Sequence, residues 1–293
     1  VDTPLAPKIR GFKIKNHHQI LSTGISTSLA HMTNKRKRQE QPWWWSTLEG
    51  DIVSHGGFLH PSIGFSQETR TLEIVDPVPR SDEAAATIDK NVGTEGNHEA
   101  IMMMRIPKAS MITFDLAVAL LTPWWPNVKE CVHDLQASHK LYSSIWDVLL
   151  ALALAYTVDT PTATAREDRL ARAYIATLPQ DSKAYLNAVP WRWSQHDLET
   201  RLGGSTLLNR ARQTQQGIQN DYSALVEAFR SSTSGNQAVT APDEVIFPVS
   251  LENYGDMMVV VSSRAFVIDT NTDTQQPEVA LIPILDLCDH CRG

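Results

Sequence analysis

Residues 262–266 read SSRAF and residues 281–291 read LIPILDLCDHC, with a polar loop between them. The apolar run Leu281–Leu285 is read as a buried strand whose end carries Asp286, Asp289 and His290. Acids and an imidazole behind a buried strand are costly unless they are paired or bind something. This corner is therefore the candidate site. Arg264 closes an apolar helix just before Phe266, and two readings of it stay open. Its guanidinium pairs with Asp286 at the edge of the core, or it is a surface arginine in a helix C-terminal turn.

Working outward, the chain falls into short strands, a long helical block, and a late strand that must return to the first ones. Leu48–Ser54 reads as a helix, with Gly56-Gly57 at the position of a C-cap. Ser62–Gln67 is extended, Arg70–Val75 alternates like a half-buried strand, and Ala100–Ile106 is the next strand. Asp76–His98 reads as a surface loop. The period then becomes helical over Leu116–Leu121, Val128–Tyr156, Ala165–Leu178 and Asp197–Leu202. A long helix follows Ser205, with a turn at Ser231–Gln237, and Leu251–Ser263 is capped by Ser250. The fold class is α+β, and three parts are expected. Residues 46–113 form an N-terminal strand unit, 114–263 a helical insertion, and 264–293 the start of the closing strands. Residues 1–45 read as a polar tail that holds a basic run, Lys35–Arg38, and docks at Trp43–Trp45.

The 293 residues are 42% hydrophobic and 20% charged, the balance of a globular protein with a sizeable core. A net charge of −7 argues against a dedicated nucleic-acid binder and suits a basic protein substrate. The longest apolar run, Ile145–Tyr156, is too short for a membrane span and reads as a buried helix. Cys131, Cys288 and Cys291 make no disulfide framework, so reduced thiols and an intracellular location, cytoplasmic or nuclear, are expected. Both ends look cut, so a fragment of a longer protein is expected.

Several signatures are missing: GxGxxG after a strand, a phosphate-binding P-loop, HExxH and a nucleophile elbow. Cys288-Asp289-His290-Cys291 holds metal-ligating residue types. Neighbours on an extended strand alternate faces, however, so at most two could share one ion and no metal is expected. His55 and His60 read as capping and turn residues, and His17, His18 and His31 as tail positions. The three methionines at 102–104 read as flexible core filler.

Four pieces in order resemble the SET-domain protein methyltransferases, in the class of the Rubisco large-subunit and actin-histidine enzymes. They are IMMMRIPKASMIT at 101–113, RAYIATLP at 172–179, SSRAF, and LIPILDLCDH. The resemblance runs from Leu48 to Gly293. It implies short SET-type strands interrupted by a helical insertion, S-adenosyl-L-methionine as methyl donor, and N-methylation of a lysine in a protein substrate by a monomeric enzyme. A histidine acceptor is the near alternative, and a non-catalytic SET-like interaction module the competing class. By the same resemblance Arg264 lines the cofactor and substrate cleft, Asp286 faces the substrate, and Asp289-His290 stand where the family has the Asn-His pair that contacts the cofactor. Here an amide donor is replaced by a carboxylate acceptor. The family's C-terminal SET segment, with its channel tyrosine, would lie beyond Gly293, so the catalytic residue is unknown and the fragment alone is expected to be inactive.

Overall fold

Helix α4 (Ile145–Asp159) is apolar around its whole circumference, and Val148–Ala155 are all buried. A helix of that kind belongs inside a bundle. The computed structural model describes residues 41–66, 71–74, 102–161, 164–178, 188–234, 246–270 and 277–288. Within them α4 packs against α2 (Phe114–Leu121), α3 (Val128–Ala137), α5 (Arg166–Thr177) and, most extensively, α8 (Leu251–Arg264). Helix α7 (Thr206–Ser234) lies along α3, α8 and α6 (Gln195–Leu202). No helix among the described residues is long and apolar enough to cross a membrane.

Side-chain caps start these helices. Thr113 accepts from the amide of Leu116, Ser144 from Asp147, Ser194 from Asp197 and Ser250 from Asn253. Two helical readings change. The pattern over Val128–Tyr156 is two helices, because His139 takes a left-handed φ of 55° after the Ser138 C-cap and Ser144 opens a new helix. The turn expected at Ser231–Gln237 is helical through Ser234. Residues 76–98 lie outside the described residues.

Helix α1 (Trp43–Ser54) begins inside the segment read as tail. Trp44 and Trp45 are buried there, whereas Trp43 is 60% exposed. The helix ends in a Schellman arrangement: Gly57 N donates to Ile52 O at 2.8 Å, Gly56 N donates to Val53 O at 3.0 Å, and Gly56 has a φ of 78°. Gly57 then passes hard against the strand unit. A Cβ there would stand 2.6 Å from the Arg105 carbonyl oxygen and 2.5 Å from Ile52 Cγ2. Gly57→Ala is therefore expected to cost about 2 kcal/mol by overpacking against backbone. Equal urea midpoints for the two proteins would contradict this.

The strands are short antiparallel pairs: β1 (Phe58–Leu59) with β4 (Met104–Arg105), β2 (Ile63–Phe65) with β3 (Leu72–Ile74), and β5 (Phe266–Thr270) with β6 (Pro277–Ala280). The late hairpin does return to the early unit, though at Ile112 and not at the strand read over 100–106. Ile112 and Leu281 exchange both backbone hydrogen bonds, at 2.9 and 3.1 Å, and Lys108 pairs with Glu278. A second clasp holds the helical block. Arg166 grips the Asp51 carboxylate through Nε (2.7 Å) and Nη2 (2.9 Å) and also donates to the Ala109 carbonyl. The architecture is thus mixed α and β, dominated by helix.

Candidate functional site

The final apolar run does not behave as one strand. β6 stops at Ala280, Leu281 makes a single bridge, and Pro283 has no N–H with which to extend the ladder. The chain turns at Ile284, and Asp286 sits in a single 3₁₀ turn, Leu285–Leu287. The strand-end placement of Asp286 is thereby corrected. Asp289, His290 and Cys291 lie outside the described residues.

The turn aims Asp286 inward. Its side chain is 7% exposed, and Arg264 Nη1, on the last residue of α8, donates to Oδ2 at 2.7 Å. Of the two readings of Arg264, the structure has the paired one, reached from a helix C-terminus; its side chain is 20% exposed. Tyr174, fully buried on α5, donates its hydroxyl to the same Oδ2 at 3.0 Å. Both bonds land on one carboxylate oxygen, and no described residue donates to Oδ1. Sequence reasoning placed Tyr174 on an apolar helix face with Leu170 and Leu178 and gave its hydroxyl no role. No local signal could supply one, since its partner lies 112 residues away.

Cys288 follows at the edge of this cluster. Burial, and then the Asp286 charge, pushes its thiol pKa up, and burial does the same to Cys131. Raised thiols are poor nucleophiles at neutral pH. His60 Nδ1 accepts from Ser62 N at 3.1 Å, and His55 Nδ1 lies 2.7 Å from the Asp51 carbonyl oxygen. Both imidazoles hold local turns. Among the described residues no three His, Cys, Asp or Glu side chains gather as a metal set.

A second polar group that sequence reasoning missed lies in the helical block. Fully buried Asp221 accepts from the amides of Tyr142 (2.6 Å) and Ser143 (3.1 Å), which ties α7 to the entry of α4. Asp147, in the first turn of α4, accepts from Ser144 Oγ at 2.8 Å. Tyr254 is fully buried on α8, and its hydroxyl has no hydrogen-bond partner among the described residues. Burial raises the pKa of Asp147 against the Ser144 hydrogen bond. Burial also raises that of Asp221, with the Asp147 charge adding to it against the hydrogen bonds from the 142–143 segment.

These shifts fix a sign. A carboxyl raised above its unfolded value holds more protons in the folded than in the unfolded chain over the window between the two values. Its contribution to stability therefore falls as pH rises through that window and recovers on acidification. The Asp147→Asn variant, which keeps an acceptor for Ser144, is expected to flatten this component of stability against pH. Urea unfolding of both proteins from neutral pH down towards the ordinary carboxylate range reads the difference. Parallel curves would remove Asp147 as a source.

Comparison of the chain with protein-family models, curated proteins and solved structures finds no match. The functional reading therefore rests on the residues themselves.

Proposed function

We propose that this chain carries SET-type methyltransferase structure and takes part in S-adenosyl-L-methionine-dependent N-methylation of a lysine in a protein substrate. One observation carries the reading: all four sequence pieces that suggested it converge in space. Tyr174 of RAYIATLP, Arg264 of SSRAF and Asp286 of LIPILDLCDH meet at one carboxylate oxygen, while Ile112 of IMMMRIPKASMIT pairs with Leu281. Each of the other three pieces thus touches LIPILDLCDH, which short matches scattered by chance over about 190 residues of chain (roughly 101 to 290) have no reason to do.

The residues present fit the donor's chemistry. A mostly buried carboxylate whose Oδ1 takes no donor from the described residues suits a cationic or N–H-bearing ligand group, and a guanidinium beside it suits a carboxylate. Arg264 would hold the donor, with Asp289 and His290 joining it by resemblance, and Asp286 would face the substrate. When bound, the donor supplies an electrophilic methyl on a sulfonium. Arg264 and Asp286 orient rather than exchange protons, and orientation is what a direct methyl transfer chiefly requires. Exclusion of water by the surrounding apolar side chains would favour the neutral, nucleophilic form of an incoming lysine amine.

Calorimetric titration of S-adenosyl-L-methionine onto the protein tests this. Saturable micromolar binding that weakens at least tenfold in Arg264→Met and Asp286→Asn is expected. Absence of saturable binding by the wild-type chain would sink the proposal.

A further inference from the structure

Ile284 combines three properties that rarely coincide. Its backbone has φ 71° and ψ −49°, its side chain is fully buried, and it is β-branched. The Leu285 amide donates to the Pro283 carbonyl at 2.9 Å, across Ile284, closing a three-residue γ-turn of the positive-φ kind. That region is hostile to a branched L side chain, whose Cβ crowds the following carbonyl, and such residues persist only where their surroundings over-determine them. His139, the other positive-φ non-glycine among the described residues, sits by contrast in a helix-ending turn, where the left-handed region is commonplace.

The location gives the strain a meaning. On one side of Ile284 the chain is fixed by the Ile112–Leu281 bridge. On the other, Asp286 N donates to Ile282 O at 3.2 Å and Leu287 N to Ile284 O at 3.0 Å, which winds the 3₁₀ turn that bears Asp286. Between bridge and carboxylate the direction of the chain is set by the dihedrals of Ile284. We infer that Ile284 is a positioning residue: its buried side chain holds the γ-turn closed, and the closed turn aims Asp286 at Arg264 and Tyr174. This rests on the reading of that cluster as a ligand site, but its first test does not.

That test is a double-mutant cycle on folding in the full chain. In the wild-type background Tyr174→Phe, which deletes the hydrogen bond to Asp286, should lower the folding constant about tenfold. In an Ile284→Gly background, where the turn is free to relax, the same change should lower it less than about twofold. In a Leu287→Ala background, a cavity in the same turn at ordinary dihedrals, the tenfold loss should return. Ile284→Gly should also fold at least as well as Ile284→Ala, reversing the usual order of these residues, because glycine accepts positive φ freely. An undiminished tenfold loss with glycine at 284, or alanine clearly better than glycine there, overturns the inference. So does loss of folding in both Ile284 variants beside a folded Leu287→Ala, which would make the position a packing site only. The second arm reads S-adenosyl-L-methionine affinity, which Ile284→Gly should weaken in the wild type and leave unchanged in Asp286→Asn. Failure of the wild type to bind would remove the methyltransferase reading and leave the folding cycle to decide this one.

Discussion

Asp286→Ala is expected to destabilise the protein by about 3 kcal/mol, and much of that loss should be recovered when Arg264→Met is added. The expectation follows from where the charges sit. Removing Asp286 strips a largely buried guanidinium of its carboxylate and takes the acceptor of a fully buried tyrosine hydroxyl with it. The single change therefore removes the carboxylate that both groups share while leaving them largely buried, and the cost exceeds what the pair contributes when intact. Replacing both charges removes the mismatch as well as the attraction. Denaturant unfolding of the two single variants and the double variant gives the coupling directly. A double variant whose loss equals the sum of the singles would show that Arg264 and Asp286 act independently, and would remove the contact on which the proposed function leans. Exposure tempers the figure. A pair at the surface contributes about 1 kcal/mol or less, and it is the 7% exposure of the Asp286 side chain that places this one above that range.

How far the sequence reaches is well seen in the same three residues. Arg264 and Asp286 were legible as a candidate pair because each is a charge at the edge of an apolar run, and charges there need partners. Tyr174 was legible only as one side chain of a helical stripe. A stripe specifies which face is buried and not what a hydroxyl on that face will meet. The start at Ser250 was readable because the cap is a local device, its side chain answering an amide three residues on. Ser144 answers Asp147 in the same way and was overlooked, because the apolar pattern on both sides ran through it. The final run was misjudged for a related reason. LIPIL has the composition of a buried strand, and only the missing amide of Pro283 and the left-handed φ of Ile284 break it. The proline was readable in the sequence. The dihedral was not, since no sequence rule places a buried isoleucine at positive φ.

Trp125→Ala is expected to cost about 4 kcal/mol, while Trp43→Ala stays within about 0.5 kcal/mol of the wild type. The two tryptophans come from similar-looking aromatic clusters, Trp43–Trp45 and Trp124–Trp125, so the sequence alone gives little reason to separate them. Their surroundings do. Trp125 is fully buried in the turn that follows α2, with ring centroids 5.5 Å from Phe229 and 6.3 Å from Phe247. Its neighbour Trp124 stacks on Tyr156 at 5.1 Å, so the tryptophan pair joins α2 and α4 to α7 and to the segment ahead of α8. Truncating Trp125 would open a cavity where helices from distant parts of the sequence meet. Trp43 stands on the solvent side of α1 and has little burial to lose. If Trp125→Ala unfolds at the wild-type denaturant midpoint, the aromatic cluster is not a core. The helical block would then have to owe its cohesion to α4 and α8 alone. If it unfolds early, the next measurement is whether Arg264 still meets Asp286 below the transition, because α8 carries one of those residues at its C-terminal end and packs on α4 along its length. A site whose geometry is set by a helix end should fail together with the packing of that helix.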